Sequence, residues 1–286
     1  MTEAAQSQPG EIIVRNVSKS YGHGPFATQV IEDCSFTIEP NKFTVMIGPS
    51  GAGKSTLIRL IAGFEKPTRG EIIAGGMPVT GPGKDRLVVF QETALFPWMT
   101  TAKNVLYGPQ ARGEANAATK ILIDFLLDKV GLRAFRDRYP AQLSGGMQRR
   151  AELARALVNN PAVMILDEPF RGLDAMTKKL MVDYLAKLCE DEKRTNFFVT
   201  TDIDEAIFLA DRLIVMSACP TKVRAIIEVD LPRPRDYNAI FRDDRANAIK
   251  LEALSLLHEE AMKAFAGGSK AAADFIEAYS LRSAVV

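Results

Sequence analysis

Apolar and polar side chains alternate in two stretches near the start of the chain, residues 11–17 and 30–38. This period is typical of half-exposed strands, so we predict an antiparallel edge layer with a turn at residues 22–25. Residues 43–47 form a more continuously apolar run, which predicts a buried strand. Helical spacing over residues 54–62 follows a glycine-rich gap. The order therefore predicts a strand, a loop and a helix in immediate succession.

The remaining apolar runs extend this sheet. Four of them predict strands at residues 87–90, 163–166, 197–200 and 212–217. Several of these runs are apolar on both faces, as parallel strands covered by helices are. The fold class that follows is α/β, with a mixed, mainly parallel core sheet beside the antiparallel edge sheet.

Between residues 92 and 160 the apolar spacing becomes helical, first at residues 117–130 and again at 145–158. We interpret this stretch as an inserted helical subdomain. Residues 1–10 are polar and predict a disordered lead, whereas residues 232–286 are rich in Ala and Leu and predict a helical C-terminal extension. We expect the extension to pack on the core, and the alternative is that it senses a metabolite.

Composition excludes several classes of protein. The 286 residues carry a formal net charge of +1, which gives no reason to expect nucleic acid as a partner. The apolar runs are far shorter than the roughly 20 residues that cross a bilayer, and the first residues do not form a secretory signal. Three cysteines without metal-ligand spacing fit a reducing compartment. We therefore expect a cytoplasmic protein.

The glycine-rich loop follows the predicted strand at residues 43–47. It comprises Gly48, Pro49, Ser50, Gly51, Ala52, Gly53, Lys54 and Ser55. Glycines at this spacing let backbone NH groups point at phosphates, while Lys54 supplies a positive charge and Ser55 a hydroxyl for Mg²⁺. We expect Thr56 to help hold a phosphate oxygen. The loop therefore predicts a site for a nucleoside triphosphate.

A second motif, Leu-Ser-Gly-Gly-Met-Gln, occupies residues 143–148. Ser144, Gly145 and Gly146 begin a predicted helix and present a hydroxyl and unhindered NH groups, which suit a phosphate approached from outside the subunit. A simple helix cap is the alternative, because serine is a preferred N-cap residue. The phosphate interpretation implies that this chain completes the active site of another subunit.

A third motif, Val-Met-Ile-Leu-Asp-Glu, follows at residues 163–168. With the three motifs in this order, the chain resembles the ATP-binding subunit of an ABC transporter over residues 12–227. Phe90-Gln91-Glu92 and the sequence LFPWMT at residues 95–100 make it most similar to subunits of nitrate, sulfonate and taurine importers. The resemblance implies an ABC-type P-loop ATPase domain over residues 11–231 that hydrolyses ATP to power transport.

The resemblance also implies roles for individual side chains. Ser55 ligates Mg²⁺ and Asp167 holds it through water, while Gln91, a catalytic residue, contacts Mg²⁺ or the attacking water; Glu168 is the general base. Tyr21 stacks on the adenine ring. Each role has a structural alternative: a turn cap for Asp167, an ion pair for Glu168, and a structural amide for Gln91. For Tyr21 the alternative is a packing ring.

Partners follow from the same resemblance. Each ATP lies between the phosphate loop of one subunit and the signature helix of a second ATPase subunit, in a homodimer or a heterodimer. Residues 93–101, with Phe96, Pro97 and Trp98, are apolar where a loop is normally polar, which predicts a docking surface for a separate transmembrane permease. Core packing is the alternative. A solute-binding protein is an indirect partner, and the chain is expected at the inner face of the plasma (inner) membrane.

Two positions depart from the family pattern. Thr201 replaces the histidine that reaches the terminal phosphate, and Arg171 stands where a small residue is usual. We count Thr201 among the catalytic residues with Lys54, but loss of a preorganised donor typically costs on the order of 10²- to 10³-fold in rate. The alternative function is therefore a nucleotide-gated dimerisation switch that hydrolyses little. An ABC ATPase of DNA repair or translation is disfavoured, because the sequence has no coiled-coil insertion, duplicated half or basic patch.

Overall fold

The computed structural model describes residues 8–22, 24–192 and 194–266. The strands are β1 (Ile12–Tyr21), β2 (Thr28–Ile38), β3 (Phe43–Ile47), β4 (Arg69–Ala74), β5 (Met77–Pro78), β6 (Arg86–Val89), β7 (Val163–Asp167), β8 (Thr195–Val199), β9 (Arg212–Met216) and β10 (Val223–Glu228). The helices are α1 (Lys54–Ala62), α2 (Thr101–Ala111), α3 (Ala117–Lys129), α4 (Gly145–Leu157), α5 (Ala175–Glu192), α6 (Ile203–Leu209) and α7 (Asp244–Ala266).

A six-stranded sheet in the order β10-β9-β3-β8-β7-β6 forms the centre of the fold. All its pairs are parallel except β10 with β9, which is antiparallel. Strands β3, β7 and β8 are buried along their whole length. Burial on both faces explains why these segments have continuous rather than alternating apolar patterns.

The second sheet is antiparallel, in the order β2-β1-β4-β5. It shares an apolar cluster with α1 and one face of the central sheet, in which Leu57 and Ile61 of α1 lie with Val14 of β1 and Ile165 of β7. The other face of the central sheet is covered by the remaining helices. The helix that follows the glycine-rich loop is therefore enclosed between two sheets.

The predicted fold class is confirmed, and the predicted strand and helix at residues 43–47 and 54–62 have the predicted bounds. The sequence patterns did not single out β4, β5, β10, α2, α5 or α6. Strand β4 is fixed by pairing with β1, for example Ile13 opposite Ile73, rather than by its own periodicity. Helix α2 contains Gly108 and Pro109, which are unfavourable inside helices, so its sequence pattern does not predict a helix.

The ends of the chain lie partly outside the described residues, which exclude residues 1–7 of the predicted lead and residues 267–286 of the predicted extension. Residues 8–10 form a turn, which differs from the predicted disorder. Gly10 in this turn is buried and packs against Thr195. Within the described residues, no helix combines the length and hydropathy needed to cross a membrane.

Arg235 ties the start of the extension to the core. Its side chain is only 3% exposed, and burial lowers its pKa to about 10. The guanidinium donates hydrogen bonds to the backbone carbonyls of Ile207, Phe208, Ala210, Val229 and Leu231. Helix α7 then packs on α6 and β9, with Ala246 and Ala253 buried in the core. These contacts favour packing as the role of the described part of the extension.

We expect Arg235→Met to lower the free energy of unfolding by about 3 kcal/mol, because buried carbonyls lose their donor. Chemical denaturation of the purified protein measures the change. The control is Arg242→Met, since Arg242 is exposed and its loss should change stability by less than about 0.5 kcal/mol. Equal stability of the two variants would show that Arg235 does not anchor the extension.

Candidate active site

The glycine-rich loop connects β3 to α1. Gly51 and Gly53 have φ angles of +77° and +86°, in the left-handed region that favours glycine. Gly53 is also the N-cap of α1, and a Cβ atom there would lie 2.8 Å from Cγ1 of Val30. Ala52 is buried beneath the loop. The loop thus wraps around the N-terminus of α1, where helical NH groups are free to bind an anion.

Lys54 is only 6% exposed. Its Nζ donates hydrogen bonds to the carbonyls of Gly48 at 2.8 Å and Pro49 at 2.9 Å, so the ammonium group is folded back into the loop. Burial lowers the pKa of Lys54, while the negative charges of Glu168 and Asp167 act in the opposite direction. A positive charge is therefore held between the phosphate loop and two carboxylates.

Asp167 is the last residue of β7 and is 8% exposed. It accepts a hydrogen bond from the hydroxyl of Ser55 in the first turn of α1, the same turn that contains Thr56. Burial raises the pKa of Asp167, while the hydrogen bond from Ser55 and the positive charge of Lys54 act in the opposite direction. A buried carboxylate beside a hydroxyl fits Mg²⁺, which is usually held by one or two carboxylates, waters and substrate phosphates.

Glu168 follows in an uncommon backbone conformation, with φ of +41°. Its backbone NH donates to the carbonyl of Val199 in β8 at 2.8 Å, which holds the strained residue in place. The carboxylate is 12% exposed and lies 3.3 Å from Nη1 of Arg171. The predicted base and the predicted metal ligand therefore lie side by side, where β7 ends.

Thr201 lies where β8 ends and is exposed. Its neighbours are tightly bonded: Thr200 donates to Glu205 at 2.6 Å, and Asp202 caps α6. Lys178 of α5 forms ion pairs with both Asp202, at 2.7 Å, and Glu205, at 3.0 Å. The residue in the histidine position is thus held on a rigid segment, but it offers only a short hydroxyl side chain.

Gln91 is exposed and lies in the loop that follows β6. Hydrogen bonds from α4 hold this loop. The guanidinium of Arg149 in α4 donates to the carbonyls of Phe90 at 2.8 Å and Gln91 at 2.5 Å. Glu152, buried in the same helix, accepts from Arg149 at 2.5 Å and from the NH of Ala94 at 3.0 Å. The loop that carries Gln91 is therefore bonded to the helix that begins with the second motif.

Tyr21 lies at the end of β1 and is 38% exposed. Its hydroxyl donates to Glu65 at 2.7 Å, and the ammonium of Lys19 lies 4.9 Å from the ring centre. These two contacts fix the ring at the surface. Its predicted stacking on adenine stays a prediction.

The second motif begins α4. Ser144 is the N-cap, and its hydroxyl accepts from the NH of Met147. A Cβ at Gly146 would lie 2.8 Å from Cγ2 of Thr177, whereas the nearest atom to a Cβ at Gly145 is 3.7 Å away. Helix α5 therefore packs closely against Gly146, and only glycine leaves this helix start uncrowded.

The two glycine motifs line different cavities. Ser144 and Gly146 line one of about 430 Å³ beside α5. Ser50 and Gly51 line another of about 570 Å³, whose other wall includes Lys263 of α7. These cavities have no residue in common. The structure therefore brings Lys54, Ser55, Asp167 and Glu168 together but keeps the second motif in a separate cavity.

Comparison with known proteins identifies the family. Residues 31–171 match the family model for ABC transporters. An uncharacterized ABC transporter ATP-binding protein of Methanocaldococcus jannaschii is 41% identical over 249 residues, which cover 85% of this chain and 93% of that protein. The chain belongs to the ATP-binding subunits of ABC transporters. It is an ATP-binding ATPase of the kind that is coupled to transport.

Other relatives of this ABC ATPase are named for a solute. An aliphatic sulfonates import ATP-binding protein of Bacillus licheniformis is 39% identical, covering 83% of this chain and 92% of that protein. A nitrate import ATP-binding protein of Synechococcus elongatus is also 39% identical, covering 82% and 86%. A dimeric ATP-binding cassette solved with ADP and phosphate has a TM-score of 0.68, with 29% identity over 77% of this chain and 100% of that one.

Three sets of residues around the site escaped the sequence analysis: the Arg149–Glu152 pair, the contact of Arg171 with Glu168, and the ion pairs of Lys178. The first has a local signal, since opposite charges three residues apart lie on one face of a helix. The same spacing separates Glu168 from Arg171. The partners of Lys178 are distant in sequence, so no local pattern indicates them.

We expect Gly146→Ala to destabilise the ATPase by about 1–2 kcal/mol, because the added methyl overpacks against Thr177. The matched control, Gly145→Ala, has room for the methyl and should be neutral or slightly stabilising. Thr177→Ser removes the obstructing methyl and should restore the Gly146→Ala variant. Chemical denaturation tests all three, and equal stability of the two alanine variants would contradict the crowding.

Proposed function

We propose that this ABC ATPase powers the import of a small solute of the nitrate, sulfonate and taurine type through a separate membrane permease. The observation that carries the proposal is the convergence of Lys54, Asp167 and Glu168 beside the phosphate loop, because phosphoryl transfer needs these charges in one place. The solute class is supported by the names of the two importer relatives, and by the residues around Gln91 that resemble such importers.

In the proposed reaction, water attacks the terminal phosphorus of ATP in line with the bond to ADP, which breaks as the new P–O bond forms. Glu168 takes the proton of the attacking water. Lys54 and the NH groups at the start of α1 offset the charge that develops on the phosphate oxygens. Thr201 contributes at most one hydroxyl donor. Mg²⁺, held by Asp167, Ser55 and Gln91 when bound, supplies further positive charge at the phosphates.

The complete site requires a second subunit. Ser144 and Gly146 of the second motif border a different cavity from the phosphate loop, which supports a role for this motif at another subunit's ATP. We propose a head-to-tail pair with a second ATPase subunit, either another copy of this chain or a different one. The dimeric cassette solved with ADP and phosphate supports this arrangement.

An aromatic groove is the proposed docking surface for the permease. Trp98 is 70% exposed, and the ring of Phe96 lies 5.5 Å from that of Trp98 and 4.6 Å from that of Tyr107. Phe96 and Tyr107 line a cavity of about 420 Å³ together with Glu152. Since Glu152 also holds Arg149, which bonds the Gln91 loop, force on this groove reaches the nucleotide site through two side chains. Docking there places the ATPase at the inner membrane face.

A second candidate function rests on Thr201. Its exposed hydroxyl takes the place of an imidazole, and the Lys178 cluster beside it is already fully paired with Asp202 and Glu205. With the weaker donor, the chain would act as a switch that binds ATP and dimerises but hydrolyses little. The experiment below separates this switch from a working ATPase.

We expect the purified protein, together with its permease, to hydrolyse ATP at a measurable steady-state rate. Glu168→Gln should lower kcat by at least roughly 10²-fold while ATP still binds. Thr201→His should change kcat by less than about tenfold if threonine suffices. A nearly inactive natural protein that gains roughly 10²- to 10³-fold from Thr201→His would instead establish the switch.

We expect Trp98→Ala to weaken binding to the permease by roughly 30-fold, as loss of an aromatic hot spot does. Titration of the permease in lipid nanodiscs with labelled ATPase measures this affinity. Met77→Ala is the control, since Met77 is 72% exposed but lies in the antiparallel sheet. An unchanged thermal unfolding temperature establishes that the variant folds, and unchanged permease affinity would rule out the groove.

A further inference from the structure

Arg171 has a specific partner, although the sequence resemblance gave it no role. Its Nη1 lies 3.3 Å from Oε2 of Glu168. Among the described residues, this is the only hydrogen bond that either side chain makes. Arg171 is 63% exposed and Glu168 only 12%, so the guanidinium lies over the carboxylate on the solvent side. The second oxygen of Glu168, Oε1, has no such partner within the described residues.

The backbone fixes this pairing. The NH of Arg171 donates to the carbonyl of Glu168 at 3.1 Å, which closes a turn. Phe170 within the turn is 1% exposed, and its ring centre lies 6.0 Å from that of Phe198 in β8. Beyond the turn, Asp174 accepts from the NH of Thr177 at the start of α5. Because both ends of the segment are anchored, the backbone holds Arg171 within reach of Glu168.

The charges around the site indicate that Arg171 affects catalysis. The positive charge of Arg171 is near enough to Lys54 to contribute to lowering the pKa of the ammonium. Arg171 therefore lies in the electrostatic environment of the phosphate loop. Position 201 holds a neutral threonine, and the positive charges of Arg171, Lys54 and Arg59 act on this part of the site.

We propose that Arg171 is a positioning residue for Glu168: by holding Oε2, it orients the carboxylate so that Oε1 faces the attacking water. The inference rests on the proposed function, in which Glu168 is the general base. Holding one oxygen restricts rotation of the carboxylate, and correct orientation of a catalytic group is worth large factors in rate.

The test compares kcat and KM for ATP in Arg171→Ala and Arg171→Lys. We expect Arg171→Ala to lower kcat roughly tenfold, with KM within about twofold, because orientation of the base affects chemistry more than binding. Arg171→Lys should recover most of the loss, since the contact uses a single nitrogen. Arg245→Ala is the matched control: Arg245 is also 63% exposed and paired with a nearby carboxylate, but it lies in α7. Its kcat should not change.

A double-mutant cycle identifies the route of the effect. In a Glu168→Gln background, Arg171→Ala should leave both the residual rate and the Kd for ATP, measured by isothermal titration calorimetry, within about twofold. A tenfold loss of the residual rate or of ATP affinity in that background would show that Arg171 acts on the phosphates and would overturn the proposal. A kcat for Arg171→Ala at or above the natural value would overturn it as well.

These outcomes separate the inference from the proposed function. If Glu168→Gln retains the natural rate, Glu168 is not the base, and both the proposed reaction mechanism and the positioning role fail. If Glu168→Gln is inactive while Arg171→Ala has the natural rate, the proposed function stands and only the positioning role fails. Circular dichroism of each variant establishes that it is folded.

Discussion

Parallel pairing of β3, β8 and β7 is the constraint on which the rest of the structure depends. Parallel strands end at the same edge of a sheet, so whatever follows them in sequence meets there. The phosphate loop follows β3, Glu168 follows β7, and Thr201 lies just after β8. Three segments that are well separated in sequence thereby meet at one site. Covering helices and the second sheet exclude water from these strands, which keeps their ends in register.

Burial at this edge gives the charges their chemical character. Lys54 and Asp167 are both nearly inaccessible to solvent. Burial lowers the pKa of Lys54 and raises the pKa of Asp167, so it favours the neutral form of each. Lys54 and Asp167 partly offset each other's charge, and the phosphates of a bound nucleotide would offset the charge of Lys54 further. The strained backbone of Glu168, with φ of +41°, is a further cost that the hydrogen bond from its NH to β8 helps to offset.

Side chains of α4 connect the helical region to this edge of the sheet. Arg149 and Glu152 occupy the interior of α4, yet their hydrogen bonds go to the loop of Gln91 and to Ala94. Glu152 also lines the aromatic groove at Phe96. The same helix begins at the second motif, with Ser144 as its N-cap. One helix therefore connects the second motif, the loop after β6 and the proposed permease surface. A single helix with these contacts is suited to transmitting motion between a permease and a nucleotide.

The sequence by itself determined the family, the α/β class and the identity of the phosphate loop, because each is encoded in contiguous residues with a fixed chemical pattern. It indicated the strands around Lys54 and Asp167 for the same reason. It left β4 and β10 unassigned because pairing with distant strands stabilises them, and α2 because Gly108 and Pro109 interrupt its pattern. Only the tertiary structure decided that Arg149 fastens the Gln91 loop, that Arg171 contacts Glu168, and that Arg235 anchors the extension. A local spacing of three residues allows an ion pair, but which atoms such a charge contacts depends on what the folded backbone brings within hydrogen-bond distance, and the sequence alone does not specify that.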